Sequence, residues 1–284
     1  RLFSNGYSTA SFRDYIFDAQ DFVKIKSPER RFLLNGILRE NQISMISAAR
    51  GIGKTWVGSS IADAITRGIS WGPWKSEHSA PCLILDGEMD SGDTKERLLL
   101  LNPTQEREYP LYIYSDALMN QNGCPRANLL NEDWRATMKE ALVERKVKVF
   151  IIDNIASLAP GIDENSKEGW DPINQWLIDL RFAGISSILL HHTNKSGGQR
   201  GTSAREDNID MSIQLRRPPG YKPEHGVDFI LSFTKSRVSS EYLHLLREIR
   251  FVLRSEDGIS SWDWSYLKLE RKKAILRMLD EGQE

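Results

Sequence analysis

The segment from Ile43 to Thr55 constrains the fold of this chain more than any other. A short apolar strand runs directly into a glycine-containing loop that ends in Lys-Thr, and residues 56–66 then repeat apolar side chains on one helical face. In such a loop, backbone N–H groups point at phosphate, a lysine supplies a point charge and a threonine hydroxyl binds Mg²⁺. The segment therefore predicts a strand, a phosphate-binding loop and a helix.

We predict that Lys54 neutralises nucleotide phosphates and that Thr55 is a Mg²⁺ ligand, which makes ATP and Mg²⁺ the expected cofactors. One position departs from the motif, because Ala48 stands where its first glycine belongs and alanine adopts positive φ poorly. The alternative is an ordinary strand-to-helix turn with a chance Gly-Lys-Thr. The predicted nucleotide-binding residues of this segment are Ala48, Ala49, Arg50, Gly51, Ile52, Gly53, Lys54, Thr55 and Trp56.

Composition bounds the class of protein. The chain has 284 residues, of which 40% are hydrophobic and 27% charged, which suits one large α/β domain with small extensions. A formal net charge of −1 does not indicate nucleic-acid binding, although a ring or cleft can hold a local basic surface. Cys82 and Cys124 lack metal-ligand spacing, which is typical of thiols in a reducing, cytoplasmic compartment. No apolar run approaches the ~20 residues of a membrane span, and no signal peptide is visible.

Strand and helix patterns alternate along the chain, which predicts a mainly parallel central sheet flanked by helices. The polar segment 115–130 is predicted to be a loop. Three late segments, 210–215, 227–234 and 243–253, are predicted to be antiparallel additions to the edge of the sheet. The earlier predicted strands are 42–47, 81–86, 111–114, 147–153 and 185–190.

Two carboxylates follow predicted buried strands. Asp153 ends the strand 147–153, where parallel sheets present ligands, and we predict that it holds Mg²⁺, partly through water, beside Thr55. Glu88 comes just after another strand and is our candidate for orienting the attacking water, because Asn154 rather than glutamate follows Asp153. The alternative for Glu88 is an acid that complements the dipole of a helix N-terminus.

Polar residues also follow the strand 185–190. His192, or its neighbour His191, is predicted to sense the γ-phosphate, and the alternative is a structural histidine. The glycine-rich loop that comes next carries Lys195 and Arg200, which are predicted to contact a nucleic-acid backbone. A solvated surface loop is the alternative for those two cations.

A cationic pair follows the predicted strand 227–234. Lys235 and Arg237 are two residues apart, so on an extended segment their side chains point to the same side. Such a pair can clamp a γ-phosphate as the transition state forms, in its own subunit or in a neighbour. The alternative is an exposed basic strand end.

The order of these motifs resembles the RecA/DnaB-type P-loop ATPase core, and most closely its RepA-like branch, which includes plasmid hexameric replicative helicases. The resemblance covers about Leu33 to Leu253 and rests on Asp86-Gly-Glu88, Ile151-Ile-Asp153, Leu189-Leu-His-His-Thr-Asn-Lys195, Gly201-Thr-Ser203 and Lys235-Ser-Arg237.

The resemblance implies that Glu88 is the catalytic glutamate, that His192 is the γ-phosphate sensor and that Lys235 with Arg237 acts on a neighbouring subunit. It also implies a hexameric ring with single-stranded DNA in its channel, contacted by Lys195 to Gly201. We accordingly expect a lead-in or subunit-linking segment over 1–32, an ATPase core over 33–255 and a C-terminal tail or helix over 256–284.

The function that follows is Mg-dependent ATP hydrolysis coupled to binding or translocation of DNA, as in the replication of plasmids or mobile elements. Two other classes stay open, since a fold does not fix a function. One is a nucleotide-switched assembly or regulatory ATPase with slow turnover that recruits partners. The other is a small-molecule phosphotransferase, which would need an acceptor pocket and a lid, for which 115–130 is the only candidate.

Overall fold

The computed structural model describes residues 14–162, 167–193 and 208–267. The chain divides into two compact units, Arg1–Arg30 and Arg31–Glu284.

The first unit contains the short helix α1 (Ala19–Phe22). The carboxylate of Asp18 accepts the backbone N–H groups of Gln20 and Asp21 at the start of this helix. Asp18 thereby satisfies two of the donors that a helix N-terminus leaves open. None of the residues of α1 is buried.

The second unit contains the central sheet and the helices around it. Its elements in chain order are β1 (Phe32–Leu34), β2 (Leu38–Arg39), β3 (Ile43–Ala48), α2 (Lys54–Arg67), β4 (Cys82–Asp86), α3 (Ser91–Leu101), β5 (Leu111–Ser115), α4 (Asp116–Gln121), α5 (Glu132–Glu144), β6 (Val149–Asp153), α6 (Ile155–Leu158), α7 (Lys167–Phe182), β7 (Ser186–His192), β8 (Met211–Arg216), β9 (Asp228–Ser236), β10 (Ile249–Glu256) and β11 (Ile259–Tyr266). Short 3₁₀ turns cover Pro223–His225 and Ser240–Leu245.

Nine strands form one sheet in the order β11-β10-β9-β8-β3-β7-β6-β4-β5, and β1 pairs with β2 separately. The six strands from β8 to β5 in this order run parallel, whereas β9, β10 and β11 add to one another antiparallel. The predicted fold class, a mainly parallel sheet flanked by helices with antiparallel strands near the C-terminus, is confirmed. All six parallel strands end at the same edge, which is where ligands bind in such sheets.

Both faces of the central strands are buried, as the alternation along β6 shows. Val149 and Ile151 pack into the hydrophobic cluster under α2, whereas Phe150 and Ile152 pack into the cluster under α5 and α7. Successive side chains of a strand point to opposite faces, so a strand covered on both sides has an almost continuously apolar sequence. This is why 149–152 reads as an unbroken apolar run.

Three predicted details differ from the structure. The segment 115–130 is not entirely loop, because it contains the six-residue helix α4, which Ser115 caps. β8 was expected to be antiparallel but runs parallel to β3, since the connection over residues 193–210 is long enough for a crossover. The sheet also continues past residue 255, where the tail was expected to begin, because β11 pairs along β10.

Within the described ranges, no helix combines the length and the apolar composition that crossing a bilayer requires.

Phe251 of β10 is predicted to be a major stability determinant. Its ring is fully buried, stacks on Trp71 with centroids 4.8 Å apart and fills space against Gly72, where a Cβ would come within 2.6 Å of it. Removing it leaves a cavity, so Phe251→Ala should lower the free energy of unfolding by about 3–5 kcal/mol. Urea denaturation measures this loss.

The matched control is Phe182→Ala, because the side chain of Phe182 is 83% exposed and its removal opens no cavity. We expect the control to stay within about 0.5 kcal/mol of the wild type. A Phe251→Ala protein as stable as the control would contradict this account of the aromatic cluster.

Candidate nucleotide-binding site

Four neighbouring strands bring their carboxyl ends together at the candidate site. Ala48 at the end of β3 is paired with His192 at the end of β7, and Asp86 at the end of β4 is paired with Asp153 at the end of β6. Residues that are far apart in the sequence therefore meet at one edge of the sheet.

The predicted phosphate loop turns from β3 into α2 with two glycines in conformations that favour glycine. The φ angle is +74° at Gly51 and +125° at Gly53. Ala48 is the last residue of β3, is buried and does not have a positive φ. The expected difficulty with alanine at that position therefore does not arise. Since α2 begins at Lys54, its N-terminal N–H groups and the positive end of its dipole face the loop.

Lys54 is buried inside this loop. Its Nζ donates to the carbonyl oxygens of Ala48 at 3.1 Å and Ala49 at 3.2 Å, and to Nδ1 of His192 at 2.8 Å. Burial lowers the pKa of Lys54 to about 8, against the opposing charges of Asp153 and Glu88, which raise it. The neighbouring carboxylates compensate the positive charge of the Lys54 ammonium only in part, so this group suits an anionic ligand.

Asp153 presents a buried carboxylate to Thr55. Burial raises the pKa of Asp153 to about 6, while the hydrogen bond from the Thr55 side chain lowers it and the negative charges of Asp86 and Glu88 raise it further. A buried carboxylate beside a hydroxyl is an oxygen-rich pair that suits a hard cation. Among the described residues, no three or more His, Cys, Asp or Glu side chains form a metal site by themselves, so a Mg²⁺ ion here would need phosphate oxygens or water as further ligands.

Glu88 lies on a turn that Asp86 fixes. Oδ1 of Asp86 accepts the N–H groups of Glu88 at 3.1 Å and Met89 at 3.0 Å, while Oδ2 accepts the hydroxyl of Thr94 at 2.6 Å. The Glu88 side chain is half-exposed, and its Oε2 accepts a hydrogen bond from the side-chain amide of Asn154. A carboxylate held in this way stays partly accessible to solvent.

His192 lies between Lys54 and Glu88. Because the Lys54 ammonium has only donors, Nδ1 of His192 must accept from it, and the neutral ring then carries its proton on Nε2. Nε2 lies 3.5 Å from Oε2 of Glu88, which can accept its proton. The 3.1 Å approach of Nδ2 of Asn154 to Nε2 is then a contact and not a hydrogen bond, because both nitrogens carry hydrogens. Burial and the charge of Lys54 lower the pKa of His192, which favours this neutral form. His191 is buried and, as the neighbour of His192 in β7, has its side chain on the opposite face of the sheet.

The remaining predicted residues fall in different places. Trp56 lies one residue after Thr55 in α2, and the guanidinium of Arg97 lies 5.2 Å from the centroid of its ring. Lys195 and Arg200, the predicted nucleic-acid contacts, lie outside the described residues.

Lys235 and Arg237 lie at the opposite edge of the sheet from the phosphate loop. β9 is antiparallel to β8, so its last residues pair with the first residues of β8: Lys235 pairs with Ser212. Nη1 of Arg237 contacts a carboxylate oxygen of Asp210, just before β8, at 3.3 Å. The structure does not bring this pair together with Lys54.

Two residues of the site were missed by the sequence analysis. Asn154 was noted only as the absence of a glutamate, although it contacts both Glu88 and His192. Arg217, in the connection between β8 and β9, donates to the carbonyl oxygen of Gly51 at 2.5 Å. No local pattern marks Arg217, because its partner is far away in the sequence.

The raised pKa of Asp153 generates a prediction about stability and pH. In the unfolded chain an aspartate loses its proton near pH 4, whereas folded Asp153 keeps it until about pH 6. The stabilisation that comes from the neutral carboxyl is therefore lost as pH rises through about 6. We expect Asp153→Asn to gain about 2–3 kcal/mol in unfolding free energy, relative to the wild type, between about pH 4 and about pH 7.

Denaturation of both proteins at the two pH values measures this change, with Asp257→Asn at an exposed turn as the matched control. An Asp153→Asn difference that is the same at both pH values would contradict the assigned protonation of Asp153.

Comparisons with known proteins give the family of the chain and a similar fold. Residues 9–198 match the family described as AAA domain. The fold is similar to that of a KaiC-like protein from the hyperthermophilic archaeon Pyrococcus horikoshii OT3, with a TM-score of 0.54 and 14% identity over 84% of this chain and 100% of that chain. At that identity the likeness concerns the fold alone. Comparison with curated proteins gives no match. The family match and the phosphate-loop core together show that the chain belongs to the AAA-domain family and has a RecA-like P-loop ATPase fold.

Proposed function

We propose that the protein is a Mg-dependent ATPase that assembles into a ring, with nucleotide bound between neighbouring subunits. We further propose that the ring couples hydrolysis to binding or translocation of DNA, as in plasmid or mobile-element helicases. The observation that carries the proposal is the separation of two groups of residues. Lys54 and Glu88 lie at the carboxyl edge of the parallel strands, whereas Lys235 and Arg237 lie at their amino edge.

The register of the strands gives the size of this separation. Lys235 pairs with Ser212, and Ser212 pairs with Met45, three positions before Ala48. Those positions correspond to about 10 Å along the strands, to which two inter-strand spacings add. Arg237 lies further still from the loop and is bound to Asp210. The pair is therefore better placed to serve a neighbour's phosphate loop than its own, which supports assembly with shared sites.

The residues present fit a Mg–nucleotide complex. Thr55 and Asp153 supply the hydroxyl and carboxylate oxygens that such an ion prefers, and the raised pKa of Asp153 means that a cation would relieve an unfavourable buried charge. When bound, Mg²⁺ supplies charge neutralisation at the phosphates. Lys54 adds a second positive charge inside the loop, close to the helix N-terminus.

The proposed chemistry needs a water molecule in line with the terminal phosphate. Glu88 is half-exposed and anchored by its turn, so its carboxylate is suited to accept a hydrogen bond from that water. Asn154 and the neutral His192 hold the carboxylate from the other side. In our proposal His192 links the state of the phosphate, through Lys54, to the position of Glu88.

The DNA-coupled part of the proposal rests on the resemblance to the RepA-like branch. It assigns Lys195 and Arg200 to contacts with single-stranded DNA in the channel of a hexamer. The AAA-domain match supports the ATPase core of this proposal and leaves the DNA, the ring size and any role in replication to experiment.

Shared sites predict complementation between two inactive variants. Lys54→Ala should lower ATP turnover by about 100-fold or more, because it removes a charge that stabilises the transition state. Arg237→Ala should lower turnover by about 1000-fold and keep ATP binding, because the arginine acts only across the interface. In an equal mixture, roughly a quarter of the interfaces join an intact loop to an intact arginine, so about a quarter of wild-type turnover should return.

Steady-state hydrolysis of the separate and mixed proteins measures this recovery. Size-exclusion chromatography with light scattering verifies mixed assembly. Turnover that stays at the level of the single variants, in assemblies verified to be mixed, would exclude a shared site.

The coupling to DNA predicts a stimulated ATPase. Single-stranded DNA should raise steady-state ATP turnover about tenfold or more, because a motor couples ATP hydrolysis to its movement on DNA. Glu88→Gln should abolish both the basal and the DNA-stimulated turnover. Clear ATP binding with slow turnover that ignores DNA would contradict the motor. That outcome would instead support a nucleotide-switched assembly ATPase that recruits partners.

A further inference from the structure

The connection between β8 and β9 lies against the phosphate loop through one arginine. Nη2 of Arg217 donates to the carbonyl oxygen of Gly51 at 2.5 Å, and Nη1 donates to the carbonyl oxygen of Asp228 at 3.1 Å. The carbonyl oxygen of Gly226 lies 3.4 Å from the same Nη1. The guanidinium carbon lies 3.7 Å from the ring centroid of Tyr221, so the ring supports the guanidinium from one face.

A second contact comes from the same connection. A Cβ at Gly53 would come within 2.8 Å of Cγ1 of Val227. The loop is therefore enclosed by this connection at both of its positive-φ glycines: by a hydrogen bond at Gly51 and by close packing at Gly53. These contacts come from residues that are distant in the sequence.

Through the geometry of the peptide group, the Arg217 contact also sets the orientation of the Gly51–Ile52 peptide. The carbonyl of Gly51 and the N–H of Ile52 belong to one planar peptide, in which the two groups point in opposite directions. Because Arg217 holds the carbonyl on its own side, the N–H of Ile52 is directed away from Arg217. Glycine at residue 51 would otherwise let this peptide rotate easily.

We propose that Arg217 is a positioning residue of the nucleotide site, which sets the Gly51–Ile52 peptide so that its N–H is available to phosphate. This inference rests on the proposed nucleotide function and adds a residue to it. Arg217 acts through the loop backbone and does not itself need to touch the nucleotide. An arginine suits this role because its rigid fork reaches two carbonyl groups at once while its face lies on an aromatic ring, which a lysine cannot reproduce.

The test compares ATP affinities by isothermal titration calorimetry in the presence of Mg²⁺. Losing a charge-assisted hydrogen bond should raise the Kd of Arg217→Ala for ATP about tenfold or more, with Arg217→Lys between it and the wild type. The matched control is Arg216→Ala, because the neighbouring Arg216 contacts Glu248 at 3.1 Å, away from the loop. Arg216→Ala should bind ATP as the wild type does.

Chemical rescue separates positioning from a general structural role. Guanidinium ion at low millimolar concentration should lower the ATP Kd of Arg217→Ala by occupying the vacated place, and it should leave the Kd of Lys54→Ala unchanged. Thermal unfolding of the nucleotide-free variants should give similar midpoints for Arg217→Ala and Arg216→Ala.

Each remaining outcome counts against a stated claim. If the wild type binds ATP and Arg217→Ala binds it with the same Kd, this inference alone is overturned. A weakened Arg217→Ala that guanidinium does not rescue, with a lowered midpoint, would mean that Arg217 only stabilises the connection, which also overturns it. A wild-type protein that does not bind ATP would overturn the proposed function, and this inference with it.

Discussion

Two opposite charges buried at one edge of the sheet, Lys54 and Asp153, are the constraint on which the site depends. Burial shifts the pKa of each towards its neutral form, to about 8 for the lysine and about 6 for the aspartate, and each charge partly offsets the shift of the other. Opposite charges that are buried near one another contribute little to stability by themselves. The core on both faces of the sheet has to supply the stability that holds them in place, and a ligand with phosphate and a divalent cation is complementary to both.

The part of this arrangement that follows a local rule could be predicted from the sequence. The strand, loop and helix around Gly51 are set by periodicity and by glycine, and Asp153 and Glu88 could be located because polar residues follow apolar strands. Ala48 departs from the phosphate-loop motif without strain. The structure keeps this residue in an extended strand, so the first position of the motif does not need a glycine here.

Other features depend on contacts across the chain and have no local signal. Arg217 reaches Gly51 from a connection 166 residues away, and no periodicity in its own segment indicates that partner. The direction of β8 was also beyond the sequence pattern, because an apolar strand reads the same whether it pairs parallel or antiparallel. The short helix α4 was hidden for another reason, since six residues with one capping serine do not complete a clear helical period.

The strand β9 begins beside one phosphate loop, where Arg217 holds the carbonyl oxygen of Asp228, and it leads to Arg237 at the far edge of the sheet. If neighbours share sites, each copy of this strand spans from one nucleotide to the next. An open chain of subunits then always has one fewer complete site than it has subunits, because the terminal loop has no arginine to meet. Only closure equalises the two numbers, so the specific activity per subunit would itself report whether an assembly is a linear oligomer or a closed ring.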